Sequence, residues 1–442
     1  MKIVLLLAAL LALAVLPYLP VFSQPFLSDD YQQVDIGRSW GPVSGWAALA
    51  AEPLYRCRAT SIVLTHWTEI LFGMSPRVFY TSGVLLHALN VWMLFALGFW
   101  KRIGYAASFA MAAFFAVYAG HEEAVMWYAA VHELLMFFFT VAFLMLWIRW
   151  VNAPRRGWLL YAASSACFLL ALGSKESGVV LVPLAALLAW WDGGTRKWRK
   201  VAGAVPFAVV ALFYAWAIFA AGNTHQHLND GTFSFHAPFW ITWRNSFGRL
   251  LWIWGLLGGI WFAASGEWRR YGDLLLAAGV WISVTLLPFS FLTYMPRIPS
   301  RHAYLPSAGL ALLAGAAFVS LRQRAAGRYR WLAPAVAMLV IAHNCLYVWL
   351  VKGPRYLERA RPTENLLALV RAGRTPVRIH CFPVYHEIPE LAVAMMLHRD
   401  PHDVLIWDEG YRRSGCPNAE LSYPVRPPAP GPVRPPAPGE PR

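Results

Sequence analysis

Long apolar runs separated by short polar connectors fill most of the chain, and their lengths predict helices that cross a membrane. Runs lie near 3–22, 77–99, 103–119, 130–150, 157–173, 177–192, 201–221, 248–264, 272–293, 302–321 and 331–351. Each approaches the roughly 20 apolar residues that span a bilayer, so about eleven transmembrane helices are predicted. The first run, Ile3 to Phe22, follows only Met1-Lys2, and no small-residue cleavage site follows Pro17-Tyr18-Leu19-Pro20. It is predicted to be retained rather than removed as a signal peptide.

The connectors alternate in character. Lys101-Arg102, Arg149 with Arg155-Arg156, Arg196-Lys197 with Arg199-Lys200, Arg269-Arg270, and Arg322, Arg324, Arg328 and Arg330 fall on alternate loops. The positive-inside rule assigns those loops to the cytoplasm. The acidic and His-rich connectors then lie outside: 23–76, His121 to Tyr128, Ser174 to Gly178, 222–247, and Tyr294 to Arg301. With an odd number of spans and the N-terminus inside, the chain from Lys352 onward is extracytoplasmic.

Beyond the transmembrane domain (1–351), residues 352–420 form a second segment in which 376–410 reads as strand, helix, strand. The strands are Val377 to Phe382 and Val404 to Trp407, flanking a helix from Pro389 to His398. This predicts a small α/β appendage on an all-α polytopic protein. From 421 to 442, Val-Arg-Pro-Pro-Ala-Pro-Gly occurs twice, at Val425 and Val433, a density of Pro that predicts an extended, coreless tail.

Composition sharpens the class. Hydrophobic residues make up 58% and charged residues 14%, against roughly 25% charged in ordinary globular chains. The 23 Trp and 18 Tyr suit interfacial belts. A net charge of +15 raises nucleic acid as a partner, but the basic residues sit in short connectors rather than along one face, which excludes it. The five Cys show no metal-ligand spacing, and Cys381 and Cys416 are open to either a disulfide or two free thiols.

The candidate chemistry falls on one side of the membrane. Asp29-Asp30 follows the first span directly, and adjacent carboxylates repel unless a cation, proton or substrate joins them. His121-Glu122-Glu123 and Glu133 form a second acidic group; an ionisable residue within a spanning helix is a functional candidate by default. Asp30 and Glu123 are the candidate ligands for a divalent metal. In Ser174-Lys175-Glu176-Ser177, Lys175 is placed to neutralise a phosphate and Glu176 to orient it, while the serines also suit a helix-start cap. In Arg297 to Ser307, Arg301 sits at headgroup level, where a guanidinium binds phosphate oxygens bidentately. Tyr55-Arg56 and Tyr304 complete the set. His87 and Asn90, at i and i+3, read best as an interhelical hydrogen-bonding pair. No Walker loop, dinucleotide fingerprint or serine elbow is present in the sequence, so the substrate has to arrive pre-activated.

In order, Asp29-Asp30, Tyr55-Arg56, Leu85-Leu86-His87-Ala88-Leu89-Asn90, His121-Glu122-Glu123-Ala124-Val125, Glu133-Leu134-Leu135, Ser174-Lys175-Glu176-Ser177-Gly178 and Arg301 with Tyr304-Leu305-Pro306-Ser307 resemble the C-type (GT-C) membrane glycosyltransferases. Among these the pattern is similar to the tetratricopeptide-associated protein O-mannosyltransferases and their bacterial relatives. The resemblance implies inverting transfer of a hexose such as mannose from a polyprenyl-phosphate donor to a protein, glycan or lipid acceptor at the outer face. It also implies an acidic base in the first outer loop, Asp29 or Asp30, with Arg301 or Lys175 on the leaving phosphate. A bacterial inner membrane is the expected location. Three positions depart from the pattern: Cys57 stands for Pro, Ser300 for an acidic residue, and His132 for a basic residue before Glu133. No tetratricopeptide array follows. A lipid-diphosphate polymerase would need more arginine than the Arg244 that 222–247 carries. A flippase would place charge near the midplane, and a non-catalytic envelope scaffold would tolerate loss of both Asp29 and Asp30.

Overall fold

The computed structural model describes residues 2–153, 157–222, 225–293, 298–325, 327–408, 416 and 419–423. Arg155, Arg156, Arg297 and the Pro-rich repeats from 424 onward lie outside the described residues. The chain divides into two units, Met1–Leu357 and Glu358–Arg442.

The first unit is a bundle of helices. Helix α1 (Lys2–Val15) continues as tighter 3-10 turns through Leu16–Ser23. Pro17 and Pro20 cannot donate to the α-helical ladder, which is why the winding changes there. Then follow α2 (Ser28–Trp40), α3 (Ala59–Phe72), α4 (Pro76–Ala96), α5 (Gly104–Val117), α6 (Val131–Asn152), α7 (Trp158–Leu172), α8 (Leu181–Asp192) and α9 (Val205–Ala220). After them come α10 (Phe239–Leu251), α11 (Trp254–Ser265), α12 (Trp268–Leu286), α13 (Ser307–Arg324) and α14 (Leu332–Tyr347), while most of α15 (Gly353–Arg371) belongs to the second unit.

Among the described residues, six helices are long and apolar enough to cross a membrane, or seven if α10 and α11 count as one bent span. This is a multi-pass membrane protein. The sequence-based count of about eleven is larger because several apolar runs fold into shorter helices. Helix α5 has 14 residues, α7 has 15 and α8 has 12. The predicted span 248–264 is interrupted: α10 and α11 meet at 72°, where Ile253 adopts φ 65°. A β-branched residue in that region is strained, and it ends one helix where the pattern alone continued it.

Small residues set the closest approaches between helices, as they do generally in membranes. A Cβ on Gly315 of α13 would lie 2.6 Å from the Met111 backbone nitrogen of α5, and one on Gly309 would lie 2.8 Å from the Ala278 carbonyl of α12. Buried polar groups lock the same region. His87 Nδ1 lies 2.7 Å from the Tyr304 hydroxyl, and Asn90 Nδ2 donates to the Leu134 carbonyl at 3.0 Å and to Tyr304 at 3.3 Å. The i, i+3 pair on α4 thus reaches α6 and the segment preceding α13.

The basic connectors gather at one end. Arg102 bonds Asp192 at 2.9 Å and Asp273 at 3.1 Å, and Lys200 donates to the Trp150 carbonyl at 3.1 Å. Helices α6 and α8 finish at this end, and α9 and α12 begin there.

Among the described residues, the second unit holds three strands, β1 (Val377–Cys381), β2 (Leu405–Trp407) and β3 (Glu420–Ser422), in the order β2-β1-β3. Helix α16 (Glu387–Leu397) lies between β1 and β2 in the chain. Strand β1 pairs parallel with β2 and antiparallel with β3. Val377 and Ile379 are buried while Arg378 and His380 are exposed, the alternation expected of a sheet with one covered face. His380 stitches the open face, with Asp408 Oδ2 2.5 Å from Nδ1 and Ser422 Oγ 2.7 Å from Nε2. Cys381 and Cys416 are joined in a disulfide. Strand β3 extends to Ser422, past residue 421 where the Pro-rich tail was placed; pairing with β1 keeps those residues in the sheet.

Gly315→Ala should destabilise the purified protein by about 1–3 kcal/mol, because backbone rather than a movable side chain meets the new methyl. Gly259→Ala in α11, whose added methyl meets no atom within 4 Å, should leave thermal unfolding unchanged.

Candidate active site

At the end of the bundle opposite the basic connectors lies a cavity of about 610 Å³. Helices α6 and α8 begin beside it, and α9 and α12 end beside it. Asp29 and Gln33 of α2 line it, with Tyr55 and Arg58 from the turn before α3. Trp127 and His132 come from the start of α6; Lys175, Glu176 and Ser177 from the α7–α8 hairpin; and Arg301 and His302 from the turn before α13. Segment 225–235 and Phe289 and Phe291 close the apolar side.

The two adjacent aspartates are not equivalent. Asp30 is wholly buried, and its oxygens accept from the Leu27 N–H at 2.9 Å, the Tyr80 hydroxyl at 2.6 Å and the Ala129 N–H at 2.8 Å. Those bonds tie the start of α2 to α4 and to the approach to α6. Burial pushes the Asp30 carboxyl up to about 6, although all three hydrogen bonds favour its ionised form. Asp29, one position earlier on the helix, is half-buried and lines the cavity; Asp30 does not.

Each cation on the wall already holds a carboxylate. Lys175 Nζ pairs with Glu133 and lies 2.8 Å from His302 Nδ1, above the Phe289 ring at 4.8 Å. Burial lowers Lys175 to about 8 against the pull of Glu133. Arg301 pairs with Glu123 and lies over the Trp127 ring at 5.0 Å. Glu123 also accepts from the Arg301 N–H at 3.1 Å and from Ser300 at 2.9 Å. Burial raises the Glu123 carboxyl, but Arg301 and these hydrogen bonds carry it below its ordinary value. Ser300, where an acidic residue was expected, thus serves as a donor to Glu123. Arg58 Nη1 donates to Glu176 Oε2 at 2.6 Å, and Glu176, raised by burial, is likewise held low by that guanidinium.

Asp29, Lys175, Arg301, Tyr55 and Glu176 therefore meet on one cavity. Six other candidates stand behind its wall. His121 Nε2 lies 2.6 Å from Ser307 Oγ, and Glu122 pairs with Lys352 at 2.6 Å and accepts from Ser300 at 3.0 Å. Glu123 and Glu133 face the cations they hold, Tyr304 is engaged by His87 and Asn90, and Arg56 donates to the Ala217 carbonyl at 2.9 Å. Sequence reasoning took Arg56 and missed Arg58. Nothing in the spacing separates the two arginines: the helix bearing Tyr55 ends at Arg56, and the turn through Cys57 and Arg58 brings the second guanidinium to the cavity. His132, His225 and His227 also line the cavity. Asp30 and Glu123 do not suit a metal, since backbone N–H, hydroxyl and guanidinium donors fill their oxygens. Among the described residues no group of three His, Cys, Asp or Glu side chains could hold one.

No family model matches the chain, and no curated protein matches it. Solved structures that resemble it include three membrane proteins. ArnT from Cupriavidus metallidurans, bound to undecaprenyl phosphate, aligns with TM-score 0.50 and 15% identity over 92% of this chain and 85% of that one. The Archaeoglobus fulgidus oligosaccharyltransferase tethered to an acceptor peptide containing the NVT sequon aligns with TM-score 0.47 and 13% identity over 80% of this chain. The oligosaccharyltransferase AglB of that organism, with an inhibitory peptide and a dolichol-phosphate, aligns with TM-score 0.47 and 14% identity over 80%. This chain spans 55% and 56% of the length of the two archaeal proteins. The likeness to ArnT is one of fold, a GT-C-like membrane architecture.

Asp30→Asn leaves one of the Leu27 and Ala129 N–H groups facing an amide, and should cost about 1–3 kcal/mol of stability. The folded-state value near 6 exceeds the ordinary 3.8, so between those values the folded chain holds a proton that the unfolded chain has released. This contribution is full below about pH 4 and falls by roughly 3 kcal/mol as pH rises through 6. Thermal unfolding from pH 4 to 7 should show that slope in the wild type and lack it in Asp30→Asn; equal slopes would refute the assignment.

Proposed function

We propose that this chain is a membrane glycosyltransferase that moves a sugar from a polyprenyl-phosphate carrier to an acceptor hydroxyl at the extracytoplasmic face, with inversion. The observation that carries this reading is the meeting of Asp29, Lys175 and Arg301 on one cavity. It supplies a carboxylate base and two phosphate-binding cations around a space that takes a substrate. The shared fold with ArnT, a structure bound to undecaprenyl phosphate, supports the same class of donor.

Orientation follows from charge. With the basic connectors cytoplasmic, the cavity opens toward the outer leaflet. Gln24, just past the first span, donates to the Met126 carbonyl at 2.9 Å near the cavity, which supports a cytoplasmic Lys2 at the far end of that span. Lys352, at the end of the last span, bonds Glu122 on the cavity side at 2.6 Å, which supports an outer position for that span's end.

In the reaction, Asp29 removes the proton of an acceptor hydroxyl as its oxygen attacks the anomeric carbon from the face opposite the phosphate. The anomeric C–O bond breaks, and the polyprenyl phosphate leaves with its electron pair. Lys175 and Arg301 stabilise the charge gathering there. Their carboxylate partners hold both cations in place before substrate arrives, so little reorganisation accompanies the reaction. Arg58, held by Glu176, is a third cation of the same kind. Asp29 is the base rather than Asp30, because it alone of the pair reaches the cavity. The acceptor is a protein, glycan or lipid, and the transferred group a hexose of the mannosyl type.

Asp29→Asn should lower the rate by about 10²–10⁴ while thermal unfolding stays that of the wild type. A variant that keeps its activity would place the base elsewhere. Transfer should also decline above about pH 8, as Lys175 releases its proton; a flat profile from pH 7 to 9.5 would remove Lys175 from the reaction. Comparison of envelope glycans and glycoproteins from a deletion strain with those of its parent would identify the acceptor.

A further inference from the structure

Polar atoms inside a protein almost always find partners, and those that do not call for a reason. Beside Glu176 the cavity wall carries three such side chains. Ser177 is 3% exposed and its hydroxyl has no hydrogen-bond partner. His225 is also 3% exposed, and neither of its ring nitrogens is hydrogen-bonded. His227 adds an unbonded Nδ1. All three line the cavity. The nearest charge to His225 is Glu176 Oε1, 4.0 Å from Nε2 and too far for a hydrogen bond, while the other Glu176 oxygen is taken by Arg58.

The segment that bears the histidines is held in place. Ser234 N–H donates to the Phe291 carbonyl at 3.0 Å, Thr293 N–H donates to the Thr232 carbonyl at 2.8 Å, and the Phe233 and Phe291 rings lie 5.8 Å apart. At the histidines themselves, His225 N–H donates to the Ala221 carbonyl at 2.9 Å and the His227 carbonyl accepts from Phe233 N–H at 2.8 Å. Burial lowers both imidazoles below their ordinary value, and Arg58 adds to this against the pull of Glu176, so the neutral ring is favoured.

A neutral imidazole offers one donor and one acceptor, and a serine hydroxyl offers both as well. Phosphate oxygens supply acceptors only and would leave the imidazole acceptor nitrogens unmatched. Ligand hydroxyls, which donate and accept, match the whole set. The phenylalanine rings nearby give an apolar surface for the C–H side of the same ligand.

We propose that Ser177, His225 and His227 form a sugar-binding edge of the cavity that recognises the hydroxyls of an uncharged sugar ring. The glycosyltransferase reading enters only in supplying the sugar, which belongs to the lipid-linked donor or to the acceptor.

Purified protein in lipid nanodiscs would be titrated with undecaprenyl phosphate, with undecaprenyl phosphate carrying one hexose, and with free methyl hexosides. His225→Ala and Ser177→Ala should each weaken a sugar-bearing ligand by about tenfold. His225→Gln, which keeps a donor and an acceptor, should restore most of that loss. Undecaprenyl phosphate alone should bind every variant as it binds the wild type. Loss confined to the hexose-bearing lipid assigns the edge to the donor sugar, and loss confined to the free hexoside assigns it to the acceptor. Unchanged binding of both sugar ligands, or an equal loss for undecaprenyl phosphate, overturns the proposal. A wild type that binds hexoside but neither lipid, and loses hexoside in His225→Ala, would sink the polyprenyl-donor reading and leave this edge standing. A wild type that binds none of the three overturns both.

Discussion

Cations buried at the end of a water-excluding bundle must be paired, and the rest of the site depends on that constraint. Removing a charge from water costs several kcal/mol unless an opposite charge and hydrogen bonds replace its hydration. Lys175, Arg58 and Arg301 meet it with Glu133, Glu176 and Glu123. The pairs join the α7–α8 hairpin to α6, the turn before α3 to that same hairpin, and the turn before α13 to the segment after α5. Segments distant in the chain are thereby gathered around one space. The pairing that closes the cavity also leaves it lined with fixed positive charge.

The same economy explains the unequal roles of Asp29 and Asp30. In the first turn of α2, both carboxylates lie where the helix dipole favours negative charge. Successive side chains on a helix point in different directions, so one enters the protein while its neighbour enters the cavity. Asp30 satisfies two backbone N–H groups and Tyr80, which fixes the entrance of α2 and hence the position of Asp29. The buried acid thereby holds its neighbour at the cavity.

Much of the membrane architecture was legible from hydrophobic run length, because a bilayer demands one kind of element and a minimum length of it. The strand segments at β1 and β2 were legible from alternation and β-branched content, but their pairing was not. The break at Ile253 and the short winding of α5, α7 and α8 were not, because run length does not register where a backbone turns. Strand β3 was also missed; three residues carry too little pattern, and their pairing with β1 is a long-range event.

For the site, residue types next to membrane exits put Asp29, Lys175 and Arg301 forward as candidates, and the three line one cavity. The sequence alone left Asp29 and Asp30 indistinguishable and put Arg56 forward in place of Arg58. It treated Glu123 and Glu133 as ligand candidates when they are counterions, and it was silent on His225, His227 and Ser177 as a group. Composition and spacing determine which chemistry a membrane chain can carry and on which side. Side-chain direction, pairing and convergence across long sequence separations belong to the tertiary structure, because they depend on which helices become neighbours.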